Sequence, residues 1–417
     1  MKYIIMFKGG VETLEYFSME MARTFEENGF KIYWFDLIFE QESAKKLKSF
    51  IEQNAIKDGK AFNICAFTFN FAGIAGEEGL FDDTNFWNEM DIFVYNMVVD
   101  HPFYYHKYAK YIPKKYKQIS IDRNHEIYLR RFFPHINSFF MPLGGTGLYE
   151  RKTVGIEKPM LSYNERPIDI IFTGNYTRPE TFDKFLVGMD KDYREFYYSL
   201  VDEVYNNPDT LIEDLLERRL KQEIDEPISD TQLRECMPNL AFVDLSVRFY
   251  YRADVIRTLV DSGRKVYIVG AGWDKLECKH PENIIMYGSG YSQDCLDKIA
   301  QSKLSVNVMP WFKDGAHDRI FNSMLNGAVS VSDDSTYLRQ VFNDREDICF
   351  YSLKNVNEVV DIVQELLDNP SLMKDIASVA YDKCIKMHTW KQRTLTIIDV
   401  MAKDMIYNTS VSYTHLR

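Results

Sequence analysis

The feature that most constrains this chain is an order of elements that begins twice. An apolar run at 2–7 closes on Lys8-Gly9-Gly10, a helical pattern spans 13–28, and Gly29 stops it before the next apolar run at 31–37. Strand, glycine turn, helix and strand in that order open a doubly wound parallel sheet. The same order restarts at 168–173 with Gly174 behind it. We therefore expect an α/β chain of two Rossmann-like domains facing across a cleft. The first covers 1–150, a linker without clear periodicity follows at 151–166, and the second covers 167–390. Residues 391–410 form a helix returning to the first domain. At 417 residues the chain is too long for one compact core, which agrees with two domains.

Charge and cysteine usage narrow the function classes. The formal net charge of −12 argues against a nucleic-acid partner, which needs a basic face. No apolar run reaches the length of a membrane span, and the N-terminal apolar run is too short for a signal peptide. The six cysteines contain no C-x-x-C pair, so we read reduced thiols, no metal site and a cytoplasmic location. The tail 411–417, VSYTHLR, reads as foreign to the chain and is expected to be non-native.

Strand ends are where open α/β sheets bind ligands, so the residues there are the first candidates. In the first half these are Gly9 and Gly10, which serve either a tight turn or close approach to a ligand, and Asn70 on the acceptor side. Asp100 and His101 end the strand at 91–99, and either is placed to act as a general base or to hold an acceptor hydroxyl. The stretch 104–117, YYHKYAKYIPKKYK, interleaves aromatics with lysines, but Pro113 breaks any long amphipathic helix. We read it as a solvated helix with buried tyrosines, with at most peripheral membrane contact. Residues 180–240 are charged and helical, an insertion placed to serve as a lid.

In the second half, Arg252 lies on a helix whose following strand ends in Gly270-Ala271-Gly272-Trp273. A G-x-G without its third glycine is only a fragment of a dinucleotide fingerprint. The stretch 304–339 is the working end: an apolar strand, a polar loop, a short helix and a second strand. Its loop puts Lys313, Asp314, His317 and Arg319 within one turn at a helix N-terminus, where exposed N–H groups favour anions. Arg319 either contacts a bound diphosphate or pairs with Asp318 or Asp333 at the helix start. The acid pair Asp333-Asp334 is expected to cap the next helix.

The residues Pro310, Gly315, Arg319, Phe321, Asn322, Met324, Gly327 and Ala328 form a pattern. It resembles the donor-binding region of GT-B glycosyltransferases, specifically the glycosyl transferases group 1 domain of CgeB-like, spore-maturation-type proteins. The resemblance covers about 168–390 and implies the GT-B fold and a nucleotide-sugar donor. Related enzymes carry an E-x7-E acid pair; here its positions hold Asp314, which keeps the acid, and Asn322, which does not. By the same resemblance Gly174 and Arg178 approach the donor diphosphate, Gly270 and Gly272 lie near the nucleotide, and Trp273 borders its base. Asp314 then holds sugar hydroxyls with His317 beside it, while Lys313, Gly315 and Arg319 face the phosphates.

The implied activity is metal-independent transfer of a hexosyl group to a hydroxyl-bearing glycan, lipid-linked or protein acceptor in bacterial glycan biosynthesis. No cofactor is expected beyond the donor substrate. Two alternatives stay open: a nucleotide-sugar epimerase of the same fold, and a catalytically inactive sugar- or nucleotide-binding module.

Overall fold

The computed structural model describes residues 1–148, 160–224 and 227–414, with 405–414 given by backbone alone. Most of the expected linker, and the side chains of the expected foreign tail, lie outside the described residues. The first sheet comprises β1 (Tyr3–Lys8), β2 (Lys31–Asp36), β3 (Ile64–Phe69), β4 (Phe93–Val98), β5 (Tyr116–Ser120) and β6 (Ser138–Phe140). They lie in the order β2-β1-β3-β4-β5-β6, every pair parallel. The second comprises β7 (Ile168–Thr173), β8 (Val266–Val269), β9 (Ile284–Met286), β10 (Ser302–Asn307), β11 (Val329–Ser332) and β12 (Cys349–Phe350). Its order is β9-β8-β7-β10-β11-β12, again all parallel.

The strand interiors read as continuous apolar runs because helices cover both faces of each sheet. All six residues of β3 are buried, as are all four of β11. In each sheet the order reverses beside its first strand, between β1 and β3 and between β7 and β10. That reversal opens a crevice at the carboxyl ends of the strands, the usual ligand position in such folds.

Seven helices matter for the site. They are α1 (Glu12–Glu27), α2 (Arg123–Phe132), α3 (Ile212–Glu223), α4 (Leu240–Asp261), α5 (Ser292–Ile299), α6 (Asp318–Leu325) and α7 (Trp390–Thr414). Helix α7 returns to the first domain: Trp390 packs on Phe17 with ring centroids 4.6 Å apart, and Tyr95 donates to Asp404 at 3.0 Å. The helical region between β7 and β8 is fastened to the first domain. Arg131 of α2 pairs with Glu217 and Asp230, each at 2.6 Å, and Arg234 donates to the carbonyl of Phe132 at 3.1 Å.

The 104–117 stretch forms a 3-10 helix at Pro102–Tyr111 wedged into this junction. Tyr104 donates to Asp244 of α4 at 2.5 Å, and Tyr105 and Tyr108 stack on Phe71. Tyr104 thus belongs to the domain contact, Tyr105 and Tyr108 pack within the first domain, and lysines 107, 110 and 114 are exposed.

Candidate active site

The crevice of the second sheet opens into a cleft of about 410 Å³ between the two domains. Its floor is Thr173, Gly174 and Asn175 at the end of β7, and its sides include Arg252, His317 and Arg319. Tyr16 and Phe17 of α1 close it from the first domain. Gly270 is required here by contact: a Cβ would meet the Gly174 carbonyl oxygen at 2.1 Å, so the loops after β7 and β8 touch backbone to backbone.

Two arginines enter the cleft without a carboxylate. Arg252 is 6% exposed; one amino group donates to the Asn175 carbonyl at 3.0 Å, and its Nε has no partner among the described residues. Burial, then the neighbouring Arg319 and Arg248, push its pKa well down. Arg319 donates to the Asn307 side-chain oxygen at 3.3 Å, and its Nη2 lies 3.6 Å from where a Cβ on Gly174 would sit. Neither makes an ion pair among the described residues. A buried cation without an ion pair is expensive, and two arginines sharing one cleft mark a place for an anion.

His317 caps α6 beside them. Its Nδ1 lies 2.5 Å from Asp318 Oδ1, and burial holds its pKa down to about 4, so the ring is neutral at pH 7. The cleft therefore offers two cations, a helix N-terminus and a neutral imidazole, a set suited to a diphosphate carrying hydroxylated groups.

Trp311 lines a second cavity of about 40 Å³. Arg248 sits 4.0 Å and Arg252 5.3 Å from the Trp311 ring centroid, and one turn of α4 gives Arg248 to this cavity and Arg252 to the larger cleft. The smaller cavity is lined by His101, His125, Glu213, Arg248 and Lys313 among others. His101 Nδ1 accepts from the Phe103 N–H at 3.3 Å, and its Nε2 lies 3.6 Å from Glu213 Oε1.

The expected site residues divide accordingly. The structure brings Gly174, Arg252, Gly270, His317, Arg319 and Asn322 to the larger cleft. Asn322 is engaged at both ends, accepting from the Thr146 N–H at 2.8 Å and donating to Asp318 at 2.9 Å. Lys313 is not beside the arginines: its ammonium donates to the carbonyls of Pro208 and Pro310, and it lines the smaller cavity. Asp314 pairs with Arg123 of the first domain at 3.1 Å, and Gly315 bridges to Asp122. Arg178 is half exposed and turns to the Lys275 carbonyl and Glu277, outside the cleft lining. Gly272 packs against Tyr176. Trp273 is fully buried, with its Nε1 donating to the Gly174 carbonyl, so it supports the loop and does not reach a base.

On the first domain, Asn70 bridges strand ends, accepting from the Val99 N–H at 2.8 Å and donating to Asp100 at 3.1 Å. Asp100 also accepts from Tyr105 at 2.8 Å. Gly9 donates to Glu15 at 2.7 Å, and Gly10 adjoins it at the end of β1. Asp333 does not cap the following helix; it accepts from the Met309 N–H at 2.8 Å, and Ser335 is the cap.

Sequence reasoning missed Asp122 and Glu213. Asp122 sits between β5 and α2, and its carboxylate accepts from the N–H groups of Asn124, Lys313 and Asp314 at 2.8, 3.0 and 2.9 Å. It thus fastens the 310–317 loop to the first domain. The only sequence signal was its position before a helix, which reads as an ordinary N-cap.

The comparisons with known proteins agree on the architecture. Residues 252–399 match a family profile described as glycosyl transferase-like. No curated protein matches the chain. Among solved structures, sucrose-phosphate synthase from Thermosynechococcus elongatus is similar at a TM-score of 0.55 and 9% identity, covering 98% of this chain and 100% of that one. Anabaena HepE in complex with UDP-glucose is similar at 0.53 and 10%, covering 97% and 100%. The T4 phage BGT in complex with UDP and Mn2+ is similar at 0.51 and 11%, covering 95% and 98%. The fold is GT-B, two Rossmann-like domains about a cleft.

Proposed function

We propose that the protein is a glycosyltransferase that moves a sugar from a nucleoside diphosphate to a hydroxyl-bearing acceptor. The observation that carries this reading is the pair Arg252, buried, and Arg319, partly buried, neither in an ion pair among the described residues, at the strand-order reversal of the second sheet. A departing diphosphate develops charge there, and fixed cations stabilise it without reorganisation at the moment of reaction. The N-terminus of α6 adds its partial positive charge. The glycosyl transferase-like profile over 252–399 supports the same reading.

We assign the donor a uridine diphosphate carrier, since two of the similar folds hold UDP or UDP-glucose. The acceptor is a glycan, a lipid-linked sugar or a protein hydroxyl. Metal is not required in this reading, because the two arginines and the helix end supply the positive charge a divalent ion supplies elsewhere.

The test is nucleoside diphosphate release from a panel of nucleotide sugars, run with and without EDTA. We expect release from at least one UDP-sugar at the same rate in both. Release lost with EDTA and restored by manganese contradicts metal independence. Conversion between nucleotide sugars with no release contradicts transfer and indicates epimerisation.

A further inference from the structure

We propose that Glu213 is the carboxylate that takes the proton from the acceptor hydroxyl, with His101 as its positioning residue. The inference rests on the glycosyl-transfer reading. His101 is the natural first choice for a base beyond the end of β4.

Its Nδ1 already accepts a hydrogen bond from the Phe103 N–H at 3.3 Å, so that nitrogen carries a lone pair and the ring proton resides on Nε2. Nε2 faces Glu213 Oε1 at 3.6 Å. The ring is held there by stacking on Phe103 at 4.1 Å and by edge contacts with His125 and Tyr128. In this tautomer neither nitrogen is free to accept a proton from substrate. The imidazole instead turns Nε2 toward the carboxylate, with no hydrogen-bond partner for it among the described residues.

Glu213 is the group with capacity left. It lies in the first turn of α3, where the helix N-terminus favours its ionised form. Burial pushes its pKa up, while the helix-end N–H and Lys313 pull it down. The other carboxylates lining the cavity are committed: Asp122 accepts from three backbone N–H groups, and Asp244 accepts from Tyr104 and Arg248. A cavity of about 40 Å³ has room for a hydroxyl-bearing carbon and not for a sugar ring.

The placement also fits the reaction path. Arg252 faces the donor cleft and Arg248 the smaller cavity, four residues apart on α4 and ~6 Å along its axis. An acceptor hydroxyl beside Glu213 gives its proton to a carboxylate oxygen while its oxygen bonds to the donor's anomeric carbon. The bond from that carbon to the phosphate oxygen breaks, and its electron pair leaves with the nucleoside diphosphate at Arg252 and Arg319. Such a direct displacement inverts the anomeric configuration.

The test uses Glu213→Gln, which keeps the side-chain shape. We expect it to bind UDP as the parent does by titration calorimetry. Its release of UDP from the parent's preferred UDP-sugar should fall ~100-fold or more, the usual range for losing a general base. Long-range proton–nitrogen NMR on 15N-histidine protein, with His101 assigned through His101→Gln, should show the Nε2–H tautomer at pH 7. A variant within threefold of the parent's rate, or an Nδ1–H tautomer, overturns the assignment while leaving UDP binding intact. A parent that binds no UDP overturns the glycosyl-transfer reading and this inference with it.

Discussion

Asp333 shows how single residues in this site are placed at odds with their preferences. It is 2% exposed at the end of β11, with Oδ1 bonded to the Met309 N–H and Oδ2 without a partner among the described residues. Burial raises its pKa to about 7, against the opposing pull of that N–H and of Lys313. Because the folded value lies above the unfolded one, the folded state binds more protons than the unfolded state between about pH 4 and pH 7. Stability from this residue is therefore present at low pH and is lost as pH rises to 7. Asp333→Asn retains the acceptor for Met309 and cannot ionise. Its thermal midpoint should exceed the parent's by more at pH 8 than at pH 5, as read by calorimetry; an equal difference at both removes Asp333 as the cause.

At the scale of elements, the strands were the most legible part of the sequence. The run 168–173 matches β7 end to end, and 2–7, 31–37 and 91–99 differ from β1, β2 and β4 by one or two residues at an end. The reason is physical: a strand covered on both faces is mostly apolar, and glycines mark where it stops. The helical insertion was legible as helix but not in its attachment. Arg131 meets Glu217 and Asp230 across 86 and 99 residues of chain, which no local pattern records.

The 310–317 loop is the element where this matters most. Its conformation is held from the first domain by the Asp122 carboxylate, and a Cβ on Gly315 would meet the Ile121 carbonyl oxygen at 2.4 Å. Asp122→Ala leaves the Lys313 and Asp314 N–H groups unsatisfied, at a cost of ~1–3 kcal/mol. Hydrogen exchange at those two amides should quicken relative to α6, while β7 and β10 keep the parent's protection. Unchanged exchange at the loop would mean that Asp122 serves α2 alone.

Across the whole molecule, the residues found from sequence are those of one continuous stretch, His317, Arg319 and Asn322, with Arg252 and the glycines at strand ends. Asp122 and Glu213 escaped because the site is assembled from two sheets and an insertion, and a carboxylate's role depends on what another domain sets against it. Trp273 was misplaced for the converse reason: an aromatic beside a glycine loop suits a nucleobase or a core equally, and here the Gly174 carbonyl draws its Nε1 inward. The cleft is held shut by acid-to-amide contacts, with Glu12 accepting from the N–H and hydroxyl of Ser292 at 2.9 Å each, opposite the Asp122 contact.

The central claim is that Arg319 and Arg252 hold a nucleoside diphosphate, and calorimetric titration tests it directly. UDP and uridine are titrated separately into the parent and into Arg319→Ala. Loss of one charge-assisted bond of ~1.5–3 kcal/mol should weaken UDP ~10- to 150-fold in the variant. Uridine, which lacks phosphates, should bind both proteins alike. Equal UDP affinity in the variant and the parent would contradict the account and leave Arg319 as a structural contact to Asn307.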